Sequence, residues 1–363
     1  MCLFGVCLTG RLWSQATEIF EQISSGKDFQ QSIVYSLAQD SFGNIWAGTE
    51  EGIIRYNSHE TFLYNKYQGI IGIHRNRTSK VFIDSRHTLW MGNEEGLSKY
   101  FPAEDVFIPI RNPDNQFGPN LIKCIIEDNT QNIWIGAFNG IWKYNPEAAD
   151  PGKVFTQFAK EYNVFSLHSE GERILAGTDK GLIWLDPEYN QVTPYNYPEA
   201  ERWVVTAILK TDQYLFIGTK EQGLFKLPAN GTLGEHILLP LSGQRAFPIN
   251  KILQDAKGHL YLATDGAGLL YLSPEGRVLK SFTNDPNDPY SIASNGLYDV
   301  ILDAENLLWI ATYGGGINIL SLAGNYFQNI QHRLNDRNSL AHSFTRSILE
   351  DQEGNIWFGT KEG

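Results

Sequence analysis

A five-residue phrase returns eight times along the chain and constrains the fold more than any other feature: IWAGT at 45–49, LWMGN at 89–93, IWIGA at 133–137, ILAGT at 174–178, LFIGT at 215–219, LYLAT at 260–264, LWIAT at 308–312 and IWFGT at 356–360. Its small residues, Gly48, Gly92, Gly136, Gly177, Gly218, Ala263, Ala311 and Gly359, are separated by 44, 44, 41, 41, 45, 48 and 48 positions. A period in the forties belongs to propeller blades or to helical arrays. Runs rich in Val, Ile, Tyr, Trp and Phe, divided by Gly, Asn and Asp turns, favour blades. The three-and-four apolar spacing of helices is absent, and 34 Gly against 2 Met fits many tight turns.

In the first unit the pattern predicts strand A over 33–39, B over 45–49, C over 53–57 and D over 61–67. Four antiparallel strands make one propeller blade. Residues 17–23, TEIFEQI, read as a strand D with no blade before it, so they are expected to supply the outer strand of blade seven, whose own strands end near Leu320. Residues 325–330 would then serve as the matching strand of a next propeller. The expected fold is all-β: a seven-bladed β-propeller of four-stranded antiparallel blades over 17–322, then the truncated start of a second propeller over 323–363. The sequence ends inside a B–C turn, which suggests an incomplete chain.

The repeated residues have structural work to do. Asp40, Asp84, Asp128, Asp255, Asp303 and Asp351 are expected to close A–B turns by accepting backbone amides two residues on. Trp46, Trp90, Trp134, Trp309 and Trp357 should fill the space between blades, the small anchors should let strands crowd near the axis, and the B–C turn glycines should take positive φ.

Lys+Arg 29 against Asp+Glu 41 leaves a net charge of −12, and no Lys/Arg run could neutralise a row of phosphates, which argues against a nucleic-acid partner. The opening MCLFGVCLTGRLWSQA has a short apolar run and a small-x-small pattern at Ser14-Gln15-Ala16, so residues 1–16 read as a secretory signal. Its removal takes away Cys2 and Cys7, and Cys124 alone cannot form a disulfide framework. No later stretch is long and apolar enough for a membrane helix.

The phrase Asp40-x-x-Gly43-Asn44-Ile45-Trp46-Ala47-Gly48-Thr49-x-x-Gly52-Ile53-x-Arg55-Tyr56 resembles the two-component regulator propeller repeat of periplasmic sensor regions in Bacteroides-type hybrid histidine kinases. Asn284-Asp285-Pro286-Asn287-Asp288-Pro289-Tyr290-Ser291 with 308–316, and 351–360, are similar to the same repeat. The resemblance implies an exported sensor whose further propeller, β-sandwich, membrane anchor in the inner membrane and kinase lie beyond this sequence, and a homodimer at full length.

No catalytic residue, metal set or cofactor site is evident. The eight histidines include no H-x-x-x-H pair, Cys124 occupies a strand-A position held elsewhere by Ser36 and Ser347, and Glu50-Glu51 and Glu94-Glu95 lie in exposed turns. Binding is better furnished, because D–A and B–C loops open on one face of a propeller. Those loops carry Arg75, Arg77, Arg202, Trp203, Arg245 and Tyr290, with Phe138 and Tyr313 in B–C turns. Arginine beside an aromatic suits an anionic oligosaccharide: the guanidinium grips a carboxylate or sulfate and the ring lies against a sugar face. The expectation is thus a periplasmic oligosaccharide-sensing propeller controlling polysaccharide utilisation; the alternative is a free-standing secreted lyase or glycosidase.

Overall fold

Each repeat folds into an antiparallel meander, and the recurring phrase is its second strand. In the first unit A is Val34–Gln39, B is Ile45–Thr49, C is Ile53–Tyr56 and D is Thr61–Tyr64, paired in that order. Strand B is buried along its whole length, as a continuous apolar run covered on both faces should be. Strand D stops three residues short of the sequence expectation. Asn65 Oδ1 accepts the Tyr67 amide at 3.1 Å, and Lys66–Gln68 wind into a 3-10 turn instead.

The computed structural model describes residues 18–23, 32–68, 77–94, 96–110, 121–147, 154–197, 200–229, 234–237, 247–322, 332, 339–342, 344–353 and 355–361. Among them are seven four-stranded sheets and one two-stranded sheet. The seven form the expected propeller, with innermost strands Val34–Gln39, Thr78–Ile83, Ile122–Glu127, Val164–Glu170, Val205–Lys210, Ile249–Gln254 and Leu297–Leu302.

The ring closes through the start of the chain. Blade 7 takes Phe20–Gln22 as its outer strand against Ile317–Ser321, in a register that sets Phe20 opposite Leu320 and Gln22 opposite Asn318. Phe20 packs its ring edge-on to Phe282 of blade 6 at 5.3 Å, while Ile23 joins the core shared by blades 7 and 1, with Val34, Ile45 and Ile317. One short strand therefore fastens both flanks of the last blade.

The A–B turns explain the aspartate and tryptophan columns together. In blade 1 Asp40 Oδ1 accepts the amides of Phe42 and Asn44, and Oδ2 accepts Trp46 Nε1 at 2.8 Å. The indole bond recurs at Asp84–Trp90 (2.8 Å), Asp128–Trp134 (2.7 Å) and Asp303–Trp309 (2.7 Å). A buried Trp needs a partner for its N–H, and the turn aspartate supplies it. The rings fill the gaps between blades: Trp46 meets Tyr64 of its own blade and Tyr100 of the next, at 5.7 and 4.9 Å.

Two glycine positions show why the columns are narrow. At Gly136 a Cβ would lie 2.4 Å from Cys124 Sγ and 2.7 Å from Val164 Cγ1, so the next blade's first inner residue occupies that space. Gly140, at φ 111°, opens strand C, where a Cβ would sit 2.4 Å from Phe158 O.

The two-stranded sheet, Thr345–Glu350 with Ile356–Thr360, belongs to a second compact unit separate from the propeller unit Phe20–Leu322. It repeats the A–B pairing, with Ser347 opposite Gly359 and Trp357 Nε1 on Asp351 at 2.9 Å, and its Ile348, Leu349 and Ile356 are exposed. Residues 1–16 and 325–330, for which a signal and a strand were expected, lie outside the described residues.

Candidate functional site

Every inner strand carries a bulge after its first residue. The pairing skips Tyr35, Ser79, Lys123, Phe165, Thr206, Asn250 and Tyr298 in blades 1 to 7. The next residue in each, Ser36, Lys80, Cys124, Ser166, Ala207, Lys251 and Asp299, stands opposite the small anchor. A bulge shifts the facing of a strand by one position. Repeated around the axis, it makes one ring from the residues after the bulges and a second, closer to the strand starts, from the skipped residues.

The inner ring holds charge. Asp299 Oδ2 accepts Lys80 Nζ at 3.0 Å, Ser36 Oγ at 3.0 Å and the Leu37 amide at 3.2 Å, and Oδ1 accepts the Val300 amide at 3.0 Å. Burial works against its ionisation, but Lys80 and Lys251 outweigh it and hold the carboxyl below the usual range. Burial pushes the Cys124 thiol up to about 12, so it is a neutral packing group and not a nucleophile.

The skipped residues split into two kinds. Ser79, Thr206 and Asn250 bond the next blade's inner strand, at Ile122 O (2.7 Å), Ile249 O (2.7 Å) and Leu297 O (2.8 Å). Tyr35, Lys123, Phe165 and Tyr298 instead join B–C turn residues to furnish the axial mouth. Tyr313, Tyr298 and Tyr35 follow one another with ring centroids 6.4 and 5.2 Å apart, and the Arg77 guanidinium lies 4.8 Å over Tyr35. Tyr35 donates its hydroxyl to Glu50, and Arg77 reaches toward Glu50 at 3.7 Å and Glu94 at 4.0 Å. Lys123 Nζ stands 5.0 Å over Phe138, which meets Phe165 at 6.3 Å.

This mouth pairs exposed rings with cations. Phe138 and Tyr313 are 43% and 57% exposed. Burial, followed by repulsion from Arg77, lowers the Lys123 pKa, so the mouth gains by receiving an anion. Burial and the hydrogen bond to Glu50 hold the Tyr35 phenol protonated above its usual range. Rings offer stacking faces for an apolar sugar side, and the cations offer charge-assisted hydrogen bonds.

Three of the sequence-derived residues, Arg77, Phe138 and Tyr313, meet at this mouth. Trp203 does not: it is 4% exposed and stacked on Phe225 at 3.9 Å, in the core between blades 4 and 5. The loop it belongs to crosses that gap, so its ring is packing, while the neighbouring Glu201 and Arg202 are exposed. Tyr290 is partly buried at the outer edge, its carbonyl accepting the Phe20 amide at 2.9 Å. Arg75 and Arg245 lie outside the described residues. Sequence reasoning missed Tyr35, Lys123, Tyr298, Lys80, Lys251 and Asp299. The available signal was the column 11 or 12 residues before each anchor, where Lys80, Lys251 and Asp299 interrupt small residues.

Residues 28–51 and 339–362 match the family model described as two component regulator propeller. No curated protein matches the sequence. Among solved structures, the chain is similar to an extracellular domain described as that of hybrid two component system BT3049 from B. thetaiotaomicron, with 20% identity, TM-score 0.70, and 96% of this chain and 53% of that one covered. A second such domain, from hybrid two component system BT4673 of the same organism, gives 20% identity and TM-score 0.68 over 95% and 51%. Virginiamycin B lyase from Staphylococcus aureus gives 14% identity and TM-score 0.60 over 84% and 100%. The chain thus spans about half the length of the two-component domains it matches. Two stretches of the chain thus match the two-component regulator propeller repeat, one in blade 1 of the seven-bladed propeller and one in the two-stranded sheet that follows it in sequence.

Proposed function

We propose that this chain is the ligand-sensing, extracytoplasmic propeller of a hybrid two-component sensor, and that the axial mouth recognises an anionic oligosaccharide. The observation that carries the reading is the convergence of two exposed rings, Phe138 and Tyr313, with Arg77 and Lys123 on the face where the inner strands begin. Such a surface stacks against a sugar and grips its carboxylate or sulfate. The matched repeat and the extracellular domains of similar fold support the sensor role and a periplasmic location. Signal transmission, membrane anchoring and dimerisation would fall to parts of the protein outside this sequence.

Calorimetry on the purified ectodomain with uronic-acid, sulfated and neutral oligosaccharides tests it. Binding weakened by Phe138→Ala and Tyr313→Ala, without bond cleavage in the recovered sugars, is expected. Cleavage would indicate an enzyme, and affinity unchanged in both variants would place the ligand elsewhere.

A further inference from the structure

The inner ring lies below the mouth and its charges do not balance. Lys80 and Lys251 face one carboxylate, Asp299, which already accepts from Lys80, Ser36, Leu37 and Val300. Lys251 has no ion pair within 4.0 Å among the described residues and no hydrogen-bond acceptor there. It stands on an inner strand opposite the small anchor Ala263 and is partly exposed, while burial bears on its charge. On one side of it the ring continues with the short side chains of Ala207 and Ser166, and on the other stands Asp299, whose hydrogen bonds go to Lys80, Ser36, Leu37 and Val300. Two charged amines away from bulk water that share one carboxylate leave one positive charge uncompensated, which is costly unless something else balances it. Asp299 favours the Lys251 charge, but burial and Lys80 outweigh that help and lower its pKa.

We infer that the axial channel is an anion subsite, in which a single carboxylate- or sulfate-sized group is bound by Lys251 with Lys80 close by. The group is either a free inorganic anion or the acidic substituent of a sugar entering from the mouth. The site differs from the mouth in its residues and needs no aromatic stacking, so it stands or falls separately from the reading above.

The test is a titration of the whole chain with sodium sulfate, sodium glucuronate and glucose at constant ionic strength, followed by melting temperature and calorimetry. Sulfate, glucuronate or both should bind saturably and glucose should not; sulfate alone identifies a free anion and glucuronate alone the sugar carboxylate. Lys251→Met should weaken that binding at least tenfold, whereas Lys160→Met, which removes an exposed cation, should leave it unchanged. An equal response of wild type and Lys251→Met would overturn the inference, as would equal loss in Lys160→Met. Should Lys251→Met fail to fold, nitrogen NMR of the wild-type lysine amines decides: sulfate or glucuronate must raise the Lys251 pKa, and no movement counts against the site. Anion binding through Lys251, with Phe138→Ala and Tyr313→Ala inert toward every oligosaccharide, would sink the functional reading and leave this one standing.

Discussion

Lys80 Nζ lies 3.0 Å from Asp299 Oδ2, so the innermost strands of blades 2 and 7 are joined across blade 1, whose Ser36 donates to the same oxygen. One carboxylate thereby holds three blades at the place where the ring closes. The outer edge of that closure is fastened differently, by backbone pairing of Phe20–Gln22 with Ile317–Ser321. An ionic lock at the axis and a strand at the rim act on the same seam.

Removing half of the lock should cost more than removing all of it. Asp299→Ala strands the Lys80 ammonium and leaves the Ser36 hydroxyl and Leu37 amide without their acceptor, which should destabilise by about 3–5 kcal/mol. Asp299→Leu combined with Lys80→Met removes the stranded Lys80 ammonium and replaces the pair by apolar volume, but not the loss of the Ser36 and Leu37 acceptor, so it should recover part of that cost. Urea unfolding of the two variants decides; equal stabilities would mean that the pair is not buried enough to matter.

The rim should depend on one side chain. Phe20 is 5% exposed, between Phe282 and Leu320, so Phe20→Ala should lower stability by about 3–5 kcal/mol. Glu21, exposed in the same strand, should tolerate Ala within about 0.5 kcal/mol. Chemical denaturation with equal losses at both positions would show that backbone pairing alone closes the ring.

The blades, their number and the closing strand could be read from sequence because each follows from a periodicity: the anchors count the units, and residues 17–23 read as a strand without a blade, of which Phe20–Gln22 forms the pairing strand. The axial chemistry could not. Alternation of two along strand A puts Lys80, Lys251 and Asp299 on whichever face the count begins from, and a bulge, which leaves no local mark in composition, moves that count by one. Trp203 misled for a related reason. An Arg-Trp pair in a loop reads as exposed, yet this loop crosses an inter-blade gap that its ring fills. Phe138 and Tyr313 were legible since they directly follow the phrase, and Arg77 since it directly precedes the inner strand Thr78–Ile83, so strand ends fix their place.

Acid should loosen the propeller through the turn carboxylate Asp128 and the axial carboxylate Asp299. Burial opposes ionisation of Asp128, but hydrogen bonds from Trp134 and Asn132 outweigh it and lower its pKa; Lys80 and Lys251 do the same for Asp299. A carboxyl with a lower pKa folded than unfolded stabilises above the unfolded value, and this contribution is lost as pH falls through the folded one. Unfolding free energy should therefore decline between about pH 5 and pH 2. Trp134→Phe removes a hydrogen bond to a charged acceptor, about 1.5–3 kcal/mol at neutral pH. The gap between variant and wild type should narrow at pH 3; a gap of the same size at both pH values would show that the loss is packing alone.

Substitutions at the mouth and in the blade 4–5 gap should separate binding from folding. Trp203→Ala removes a ring stacked at 3.9 Å on Phe225, so it should lower stability by about 3–5 kcal/mol and leave ligand affinity in the folded protein unchanged. Arg77→Ala and Lys123→Met should weaken a uronic-acid or sulfated oligosaccharide by about 1.5–3 kcal/mol each and a neutral one hardly at all, since what they remove is a charge-assisted contact. Phe138→Ala, by contrast, should weaken both kinds of sugar. Because the Lys123 pKa is lowered by burial and by Arg77, the anionic preference should fade on raising the pH sooner than an ordinary lysine would allow. Calorimetry across pH with the four variants checks each clause. An affinity loss in Trp203→Ala with none in Arg77→Ala would move the ligand from the axis to the D–A loops, where Arg202 is exposed.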